Sequence, residues 1–380
     1  MVAVLAAISL AKPIASNLGR GQIKPWRSFI YRDTPDSFGK LCHIRLVPLV
    51  PTRHSSINTW CTANMTIMAL RSSHLEHTVM KVPSDLVVFP SKTIRIVCIS
   101  DTHGEDPSLR IPPGDILIHA GDLTDPGSLL ELERAYQWIS KLSHPVKVVV
   151  AGNHDVSLDS THPSFRKEAV DLFTSPKALS HGIHYLDRQV RTVAYYSESR
   201  EPGKKTLQPL NIYGNPLQPD FLDTDYAFTY APWPSSAATQ AWQDAPDSAS
   251  GVPIWVMHGP PKDRLDWIDI DRLEGCVAQA RAIASSRPLL CVFGHYHVSN
   301  GVERVKWRDD GDGVAASKVL SKPTHAPAYD FSSEGHEPPL HSGNDTVFVN
   351  AAWMTGRKRE VADRYDPVII TISFETPNIF

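Results

Sequence analysis

The feature that most limits the fold of this chain is a series of short apolar segments that alternate with turns and amphipathic stretches. Residues 93–100, 115–120 and 146–151 are rich in β-branched and apolar side chains, as expected of strands that are covered on both faces. Between the last two, residues 128–142 carry apolar side chains close to the 3.6-residue period of an amphipathic helix. Strand, strand, helix, strand is the order of a layered α/β fold.

The same pattern continues toward the C-terminus. Further buried strands are predicted over residues 254–258, 289–293, 346–350 and 367–373, and a helix over residues 271–285. Residues 308–343 differ, because they combine Asp-Asp-Gly-Asp-Gly with scattered Pro, Ser and His and have almost no apolar period. We predict a loop insertion there. Residues 216–250, rich in Pro, Ser and aromatic residues, are predicted to form an irregular lobe over the site.

Charge divides the chain into two unequal parts. The net charge of -3 combines eleven basic and four acidic residues in positions 1–92 with 27 basic and 37 acidic residues in positions 93–380. We predict a basic, disordered extension over residues 1–92 and a catalytic domain over residues 93–380. An acidic domain argues against duplex nucleic acid as a partner, because phosphate backbones are held by clustered Lys and Arg.

The first residues leave the localisation open. Residues 1–11 are too short for a membrane span, which needs about twenty apolar residues, and none of the later segments is a candidate. Residues 12–32 contain five basic residues and no acid, which suits a mitochondrial transit peptide. The alternatives are a dispensable extension or a start at Met65 or Met68, so residues 1–64 need not belong to the mature protein. Five scattered cysteines without a Cys-x-x-Cys pair favour a reducing compartment, and we expect a cytoplasmic protein.

Polar residues follow the carboxyl ends of the predicted strands, where open α/β sheets place their ligand sites. Each cluster adjoins or contains a carboxylate, an amide or an imidazole, and most adjoin a glycine that permits close backbone approach. The clusters are Asp101-Thr102-His103, Gly121-Asp122, Gly152-Asn153-His154-Asp155, His258-Gly259 and Gly294-His295-Tyr296-His297. They supply seven candidate metal ligands: Asp101, His103, Asp122, Asn153, His258, His295 and His297.

Seven ligands are too many for one ion but suit two ions that share a carboxylate. Oxygen and imidazole ligands without thiolate favour Mn, Fe or Zn, and we expect Mn²⁺. Two such ions about 3.5–4 Å apart can hold a hydroxide for in-line attack on a phosphoryl group and neutralise its charge. His154 could donate a proton to the leaving oxygen, and Asp155 could orient the His154 ring.

These clusters, in this order, resemble the signature of the calcineurin-like metallophosphoesterases. Runs at residues 99–103, 117–124, 213–216, 258–261 and 348–351 are similar to the metallophosphoesterase-domain-containing branch of that superfamily. The resemblance implies a four-layer α/β/β/α sandwich and hydrolysis of phosphodiesters. It also implies that His154 is the catalytic histidine. The first metal would be bound by Asp101, His103, Asp122 and His297, and the second by Asp122, Asn153, His258 and His295.

Other polar residues have simpler interpretations. His119 lies inside an apolar strand and is interpreted as a buried core histidine with a hydrogen-bond partner. Aromatic residues in 221–233 are assigned to core packing, with stacking on a base or aryl leaving group as the alternative.

The sequence predicts a dinuclear phosphoesterase acting on a small phosphodiester or phosphomonoester. The alternatives are a nucleotide-binding or scaffold protein on the same fold and, third, a protein Ser/Thr phosphatase. The physiological substrate and the oligomeric state stay open.

Overall fold

A computed structural model describes seven stretches of the chain. They are residues 86–198, 204–220, 225–269, 272–308, 313–321, 327–355 and 364–374. The predicted extension therefore lies outside the described residues up to position 85. No described helix is both long and apolar enough to cross a membrane.

Two sheets form the centre of the described folded unit. In spatial order, the smaller sheet contains β16 (Ala328–Asp330), β18 (Val368–Ser373), β2 (Thr93–Ile99), β3 (Ile116–Ala120), β4 (Val146–Val150) and β5 (Ile183–Tyr185). The larger sheet contains β1 (Val88–Phe89), β6 (Gln189–Glu198), β7 (Lys205–Asn215), β10 (Ile254–Met257), β13 (Leu290–Phe293), β17 (Asp345–Asn350), β14 (Gly301–Trp307) and β15 (Val314–Ser321). Two short pairs lie outside them: β8 (Gln218–Pro219) with β9 (Thr229–Tyr230), and β11 (Trp267–Asp269) with β12 (Arg272–Leu273).

Parallel pairing brings the strand ends that carry the polar clusters to common edges. β2, β3, β4 and β5 pair in parallel, and so do β7, β10, β13 and β17. Within each parallel set, the carboxyl ends of the strands meet at one edge of the sheet. The residues that follow β2, β3 and β4 therefore become neighbours, as do those that follow β10 and β13.

The alternation of side chains along each central strand builds two different layers of core. Ile96 and Cys98 of β2 point into a cluster between the two sheets, where Val256 of β10 and Val292 of β13 also lie. Val97, the intervening residue of β2, belongs to a cluster on the opposite face. Because both faces are covered, these strands are apolar at nearly every position, as the sequence predicted.

Helices cover the outer face of each sheet. α1 (Leu129–Lys141), α2 (Lys167–Thr174) and α3 (Pro176–Ser180) pack on the smaller sheet, whereas α4 (Ser236–Trp242) and α5 (Val277–Ser286) pack on the larger one. A capping box begins α1: the Ser128 hydroxyl accepts from the Glu131 N–H while the Glu131 carboxylate accepts from the Ser128 N–H. The predicted four-layer α/β/β/α sandwich is confirmed.

Three predicted boundaries need correction. The folded unit begins before residue 93, because β1 pairs with β6. Residues 308–343 are not a plain loop: β15 extends the larger sheet beside β14, and β16 extends the smaller sheet beside β18. Both are edge strands, and an edge strand needs less apolar periodicity because solvent reaches it. The helix predicted over 271–285 begins later, at Val277, since β12 precedes it and Cys276 caps it.

Candidate metal centre

The predicted ligands come together where strands from both sheets end. Asp101 and His103 follow β2, Asp122 follows β3, and Asn153 follows β4. The other three come from the larger sheet: His258 follows β10, and His295 and His297 follow β13. A hydrogen bond joins the two groups of loops, because the His295 N–H donates to the Asp101 carboxylate at 3.0 Å. All seven residues therefore belong to one site.

The loops reach this arrangement through unusual backbone geometry. Four predicted ligands have positive φ angles: Asp101 (57°), His103 (44°), Asp122 (53°) and His295 (67°). Residues other than glycine rarely adopt this region, and such strain concentrates at functional sites. Two glycines permit the close packing. A Cβ on Gly294 would lie 2.0 Å from Asp101 Oδ2, and one on Gly152 would lie 2.2 Å from Asp122 Oδ1.

The first group consists of Asp101, His103 and His297, whose ligand atoms all lie within 4.8 Å of one another. His297 Nε2 is 3.4 Å from Asp101 Oδ1 and 3.3 Å from His103 Nε2. His103 Nδ1 lies 3.1 Å from the Thr124 carbonyl oxygen, so we assign its proton to Nδ1. The lone pair of His103 Nε2 then faces the centre of the group. A backbone carbonyl on the opposite nitrogen is the usual support of a metal-binding histidine.

The second group consists of Asp122, His258 and His295. His258 Nδ1 is 2.9 Å from the Ala120 carbonyl oxygen, so we assign a proton to Nδ1, and Nε2 faces the centre of the group. His258 Nε2 lies 3.4 Å from Asp122 Oδ2 and 3.0 Å from Asn153 Oδ1. The amide oxygen of Asn153 thus joins this group as a further oxygen donor.

Asp122 connects the two groups. Its carboxylate forms a third set with His103 and His154, again within 4.8 Å, and Asp122 Oδ2 is 3.6 Å from His103 Nε2. The other oxygen, Oδ1, accepts a hydrogen bond of 2.9 Å from the His154 backbone N–H. The Asp122 carboxylate therefore lies beside a histidine ring of each group, His103 in the first and His258 in the second.

The site buries two carboxylates among histidines. Burial alone would raise the pKa of Asp122, but the charge and hydrogen bond of His258 hold it well below its usual range. Burial likewise opposes ionisation of Asp101, and the hydrogen bond and charge of His297 lower its pKa. Burial would lower the pKa of His258, but the adjacent Asp122 raises it to about 9. Both aspartates are therefore ionised at neutral pH.

The donor set fits divalent metal ions. Carboxylate, amide and imidazole donors converge, and none of them is a thiolate. Two histidines already donate Nδ1–H to backbone carbonyls, so their Nε2 atoms face the centre, where a bound ion would displace the proton that the raised pKa of His258 keeps on its Nε2. Ligands of this kind suit Mn, Fe or Zn. The residues could thus hold metal in two adjoining groups that share Asp122.

His154 lies beside the centre with its ring fixed from one side. His154 Nδ1 is 2.6 Å from the Asp125 carbonyl oxygen, and Tyr226 packs against the ring at 5.1 Å between centroids. The Asp125 carboxylate is also near, with Oδ1 3.8 Å from His154 Nδ1. Asp125 was missed in the sequence, because the contact is made by its backbone and no side-chain pattern marks it.

The expectation that Asp155 orients His154 is wrong. Asp155 is fully buried, and its carboxylate accepts hydrogen bonds from Leu123, Thr124 and Gly152 instead of the His154 ring. The chain turns after Asn153, so the adjacent side chains of His154 and Asp155 point in different directions. Asp155 therefore holds the loop that carries Asp122 against the loop that carries Asn153.

His119 occupies the position expected of a core histidine. It is fully buried, and its Nε2 lies 3.0 Å from the Thr102 hydroxyl. It contacts the site loop through Thr102, and it is in none of the three candidate metal groups.

The whole site falls within the region that known proteins share with this chain. The family model of the calcineurin-like phosphoesterases matches residues 94–299, more than half of the chain. Metallophosphoesterase domain-containing protein 1 of Homo sapiens and that of Mus musculus are each 33% identical over 225 residues, which is 58% of this chain and 65% of those proteins. Probable rhamnogalacturonate lyase C of Emericella nidulans is 35% identical over 217 residues, 56% of this chain and 18% of that protein. The chain matches less than two thirds of the length of each of these relatives.

Proposed function

Because the chain belongs to the calcineurin-like phosphoesterase family, we propose that it is a dinuclear metal-dependent hydrolase of a small phosphodiester or phosphomonoester. The observation that carries the proposal is the position of Asp122, which lies in two of the three candidate metal groups. A carboxylate shared in this way suits two adjacent ions better than one.

We assign the proposed ligands to two metal ions, one for each of the two groups described above. Asp101, His103 and His297 would hold one ion, Asn153, His258 and His295 would hold the other, and Asp122 would contribute to both. Manganese is the proposed metal, with iron or zinc as alternatives. When bound, two divalent ions would activate water near neutral pH and offset the charge of the phosphoryl group.

The protein's own residues would orient the reactants and supply the proton. Hydrogen bonds from His103 and His258 to backbone carbonyls fix the directions of their Nε2 atoms. His154 donates Nδ1–H to the Asp125 carbonyl, which leaves His154 Nε2 to carry the proton for the leaving oxygen. Burial of the carboxylates lowers the local dielectric response and strengthens the attraction between the site and a cation.

The experiment measures metal content and hydrolysis together. The full chain, loaded with Mn²⁺, is assayed with an aryl phosphodiester and an aryl phosphomonoester. We expect two equivalents of metal in the wild type and in His154→Ala, and a rate about 10²–10⁴ times lower in the variant. His336→Ala is the matched control, because His336 is exposed. Full metal occupancy without turnover of either ester would contradict the hydrolase and favour a binding protein.

Asp122→Ala tests the shared ligand separately. Removing the carboxylate that lies in two groups should cost at least one equivalent of metal. Retention of both ions by this variant would refute the bridging role.

A further inference from the structure

A small pocket beside the candidate metal centre contains a buried glutamine without a partner. Gln218 is 1% exposed, and neither its Oε1 nor its Nε2 has a hydrogen-bond partner among the described residues. The pocket is lined by Gln218, by the predicted ligands Asn153 and His295, and by Tyr226 and Tyr296. A group attached to phosphorus at the metal centre would therefore find the Gln218 amide beside it.

Backbone contacts and packing hold Gln218 in place. Its N–H donates to the Phe228 carbonyl at 3.0 Å, which ties β8 to the chain that precedes β9. The side chain lies against Gly259, where an added Cβ would be 3.1 Å from Gln218 Cβ and 3.5 Å from its Oε1. Gly259 directly follows the predicted ligand His258. The amide is thus fixed close to the site without hydrogen bonds of its own.

Such an arrangement requires explanation, since buried side-chain amides nearly always have hydrogen-bond partners. An amide presents one acceptor and one donor side by side. A ligand that satisfies both must present a donor and an acceptor in the complementary order. This points to an amide-like or amidine-like edge.

The other lining residues limit the charge of the ligand. Two carboxylates, of Asp220 and Glu274, line the pocket, and neither lysine nor arginine is among its described lining residues. Arg272 lies nearby but is paired with Glu274. The described lining residues therefore supply no cation that would bind a second anionic group. The rings of Tyr226 and Tyr296 offer apolar surface to a planar group.

We propose that Gln218 is the specificity-determining residue of a subsite for the organic ester group of the substrate, and that this group is neutral and planar with an amide-like edge. The inference rests on the proposed hydrolase function for its position next to the phosphoryl group. It adds a residue and a substrate class to that function.

The test uses two methyl aryl phosphodiesters that differ in one substituent, a carboxamide or an isopropyl group at the meta position. Each has a hydrolysis-resistant phosphonate counterpart, in which CH₂ replaces the aryl ester oxygen, for calorimetric binding. The Mn²⁺-loaded full chain is compared with Gln218→Leu, and with Gln218→Met in case leucine does not fit. Gln240→Leu, on the exposed face of α4, is the matched control.

We expect the wild type to prefer the carboxamide, both in kcat/KM and in phosphonate binding. Gln218→Leu should reduce that preference about tenfold or more, because the hydrogen-bonding groups of the ligand lose their partners. The thermal midpoint of the ligand-free variant should not fall, since no internal hydrogen bond is removed. A fall in the midpoint with an unchanged preference would assign Gln218 a structural role and overturn the inference.

Hydrolysis rates and phosphonate binding together separate the proposed subsite from the hydrolase function on which it rests. Hydrolysis without a Gln218-dependent preference would refute the subsite and leave the hydrolase standing. Preferential phosphonate binding without turnover of these diesters or of the aryl phosphomonoester would refute the hydrolase and keep the subsite. Absence of binding to either phosphonate, together with absence of preference, would refute the subsite.

Discussion

Replacement of Asp155 by asparagine should destabilise the fold without changing the pH dependence of kcat. Asp155 Oδ1 accepts from the Thr124 N–H at 3.0 Å and from the Thr124 hydroxyl at 2.7 Å. Asp155 Oδ2 accepts from the Gly152 N–H at 2.8 Å and the Leu123 N–H at 3.2 Å. In asparagine one of these acceptors becomes an NH₂ donor, so at least one donor faces another.

The new asparagine can place its NH₂ at either oxygen position, and the less costly of these two orientations determines how much stability is lost. With NH₂ at the Oδ1 position, the Thr124 hydroxyl can turn to the His154 carbonyl, which is 3.1 Å away. The Thr124 N–H is then left unsatisfied, at about 1–3 kcal/mol, and the two bonds to the remaining oxygen lose their ionic character. Burial and the charge of Asp122 raise the pKa of Asp155 to about 6, so the neutral asparagine also removes an unfavourable buried charge. We therefore expect a net loss of about 1–3 kcal/mol in the free energy of unfolding. At about 2–4 °C per kcal/mol, the melting midpoint should fall by roughly 2–12 °C.

The assay is thermal unfolding of the Mn²⁺-loaded protein at neutral pH, together with the pH profile of kcat well below the midpoint. Asp171→Asn is the control, because Asp171 pairs with Lys167 on the exposed face of α2 and should contribute less than about 1 kcal/mol. The pH at which the rate of Asp155→Asn changes should match the wild type. An unchanged midpoint with a shifted pH profile would show that Asp155 acts on His154 after all.

Three further predictions concern the site and the core. Gly294→Ala should displace the Asp101 carboxylate, whose Oδ2 would lie 2.0 Å from the new Cβ. Loss of one metal equivalent and about 10²-fold of the rate is expected, and wild-type metal content would contradict it. Mn²⁺ at a free concentration about 100 times its calorimetric Kd should raise the free energy of unfolding by about 2.7 kcal/mol per site over the chelated protein, and equal melting midpoints would argue against metal binding. Phe173→Ala, in the buried cluster under α1 and α2, should cost about 3–5 kcal/mol in chemical denaturation. Its activity per folded molecule should stay within about twofold of the wild type, and a larger loss would link this core to the site.

The sequence indicated the central strands and the polar residues that follow them, because both depend on local pattern. A strand buried on both faces must be apolar throughout, as β3 and β4 are. The strand order is not evident from the sequence, and the parallel pairing of β2 with β3 in the structure is what places Asp101 and Asp122 at one edge. The resemblance to a family then supplied the grouping of the ligands.

Other features depend on contacts that sequence spacing does not encode. The direction of the Asp155 side chain follows from the turn after Asn153, and the Asp125 contact with His154 is made by a carbonyl that every residue possesses. β15 has an irregular, partly polar sequence, and its pairing with β14 defines it as a strand. Gln218 stands out only because burial and the absence of a partner among the described residues coincide.

The hydrogen bond from the His154 backbone N–H to Asp122 Oδ1 makes the two residues energetically interdependent. Removing the Asp122 carboxylate would release the chain that positions the His154 ring, in addition to removing a ligand. The effects of Asp122→Ala and His154→Ala on the rate should therefore not add, and the double variant should be less impaired than the product of the single losses indicates. Substitutions at Asp122 that change metal affinity would therefore also change proton transfer by His154, and the reverse.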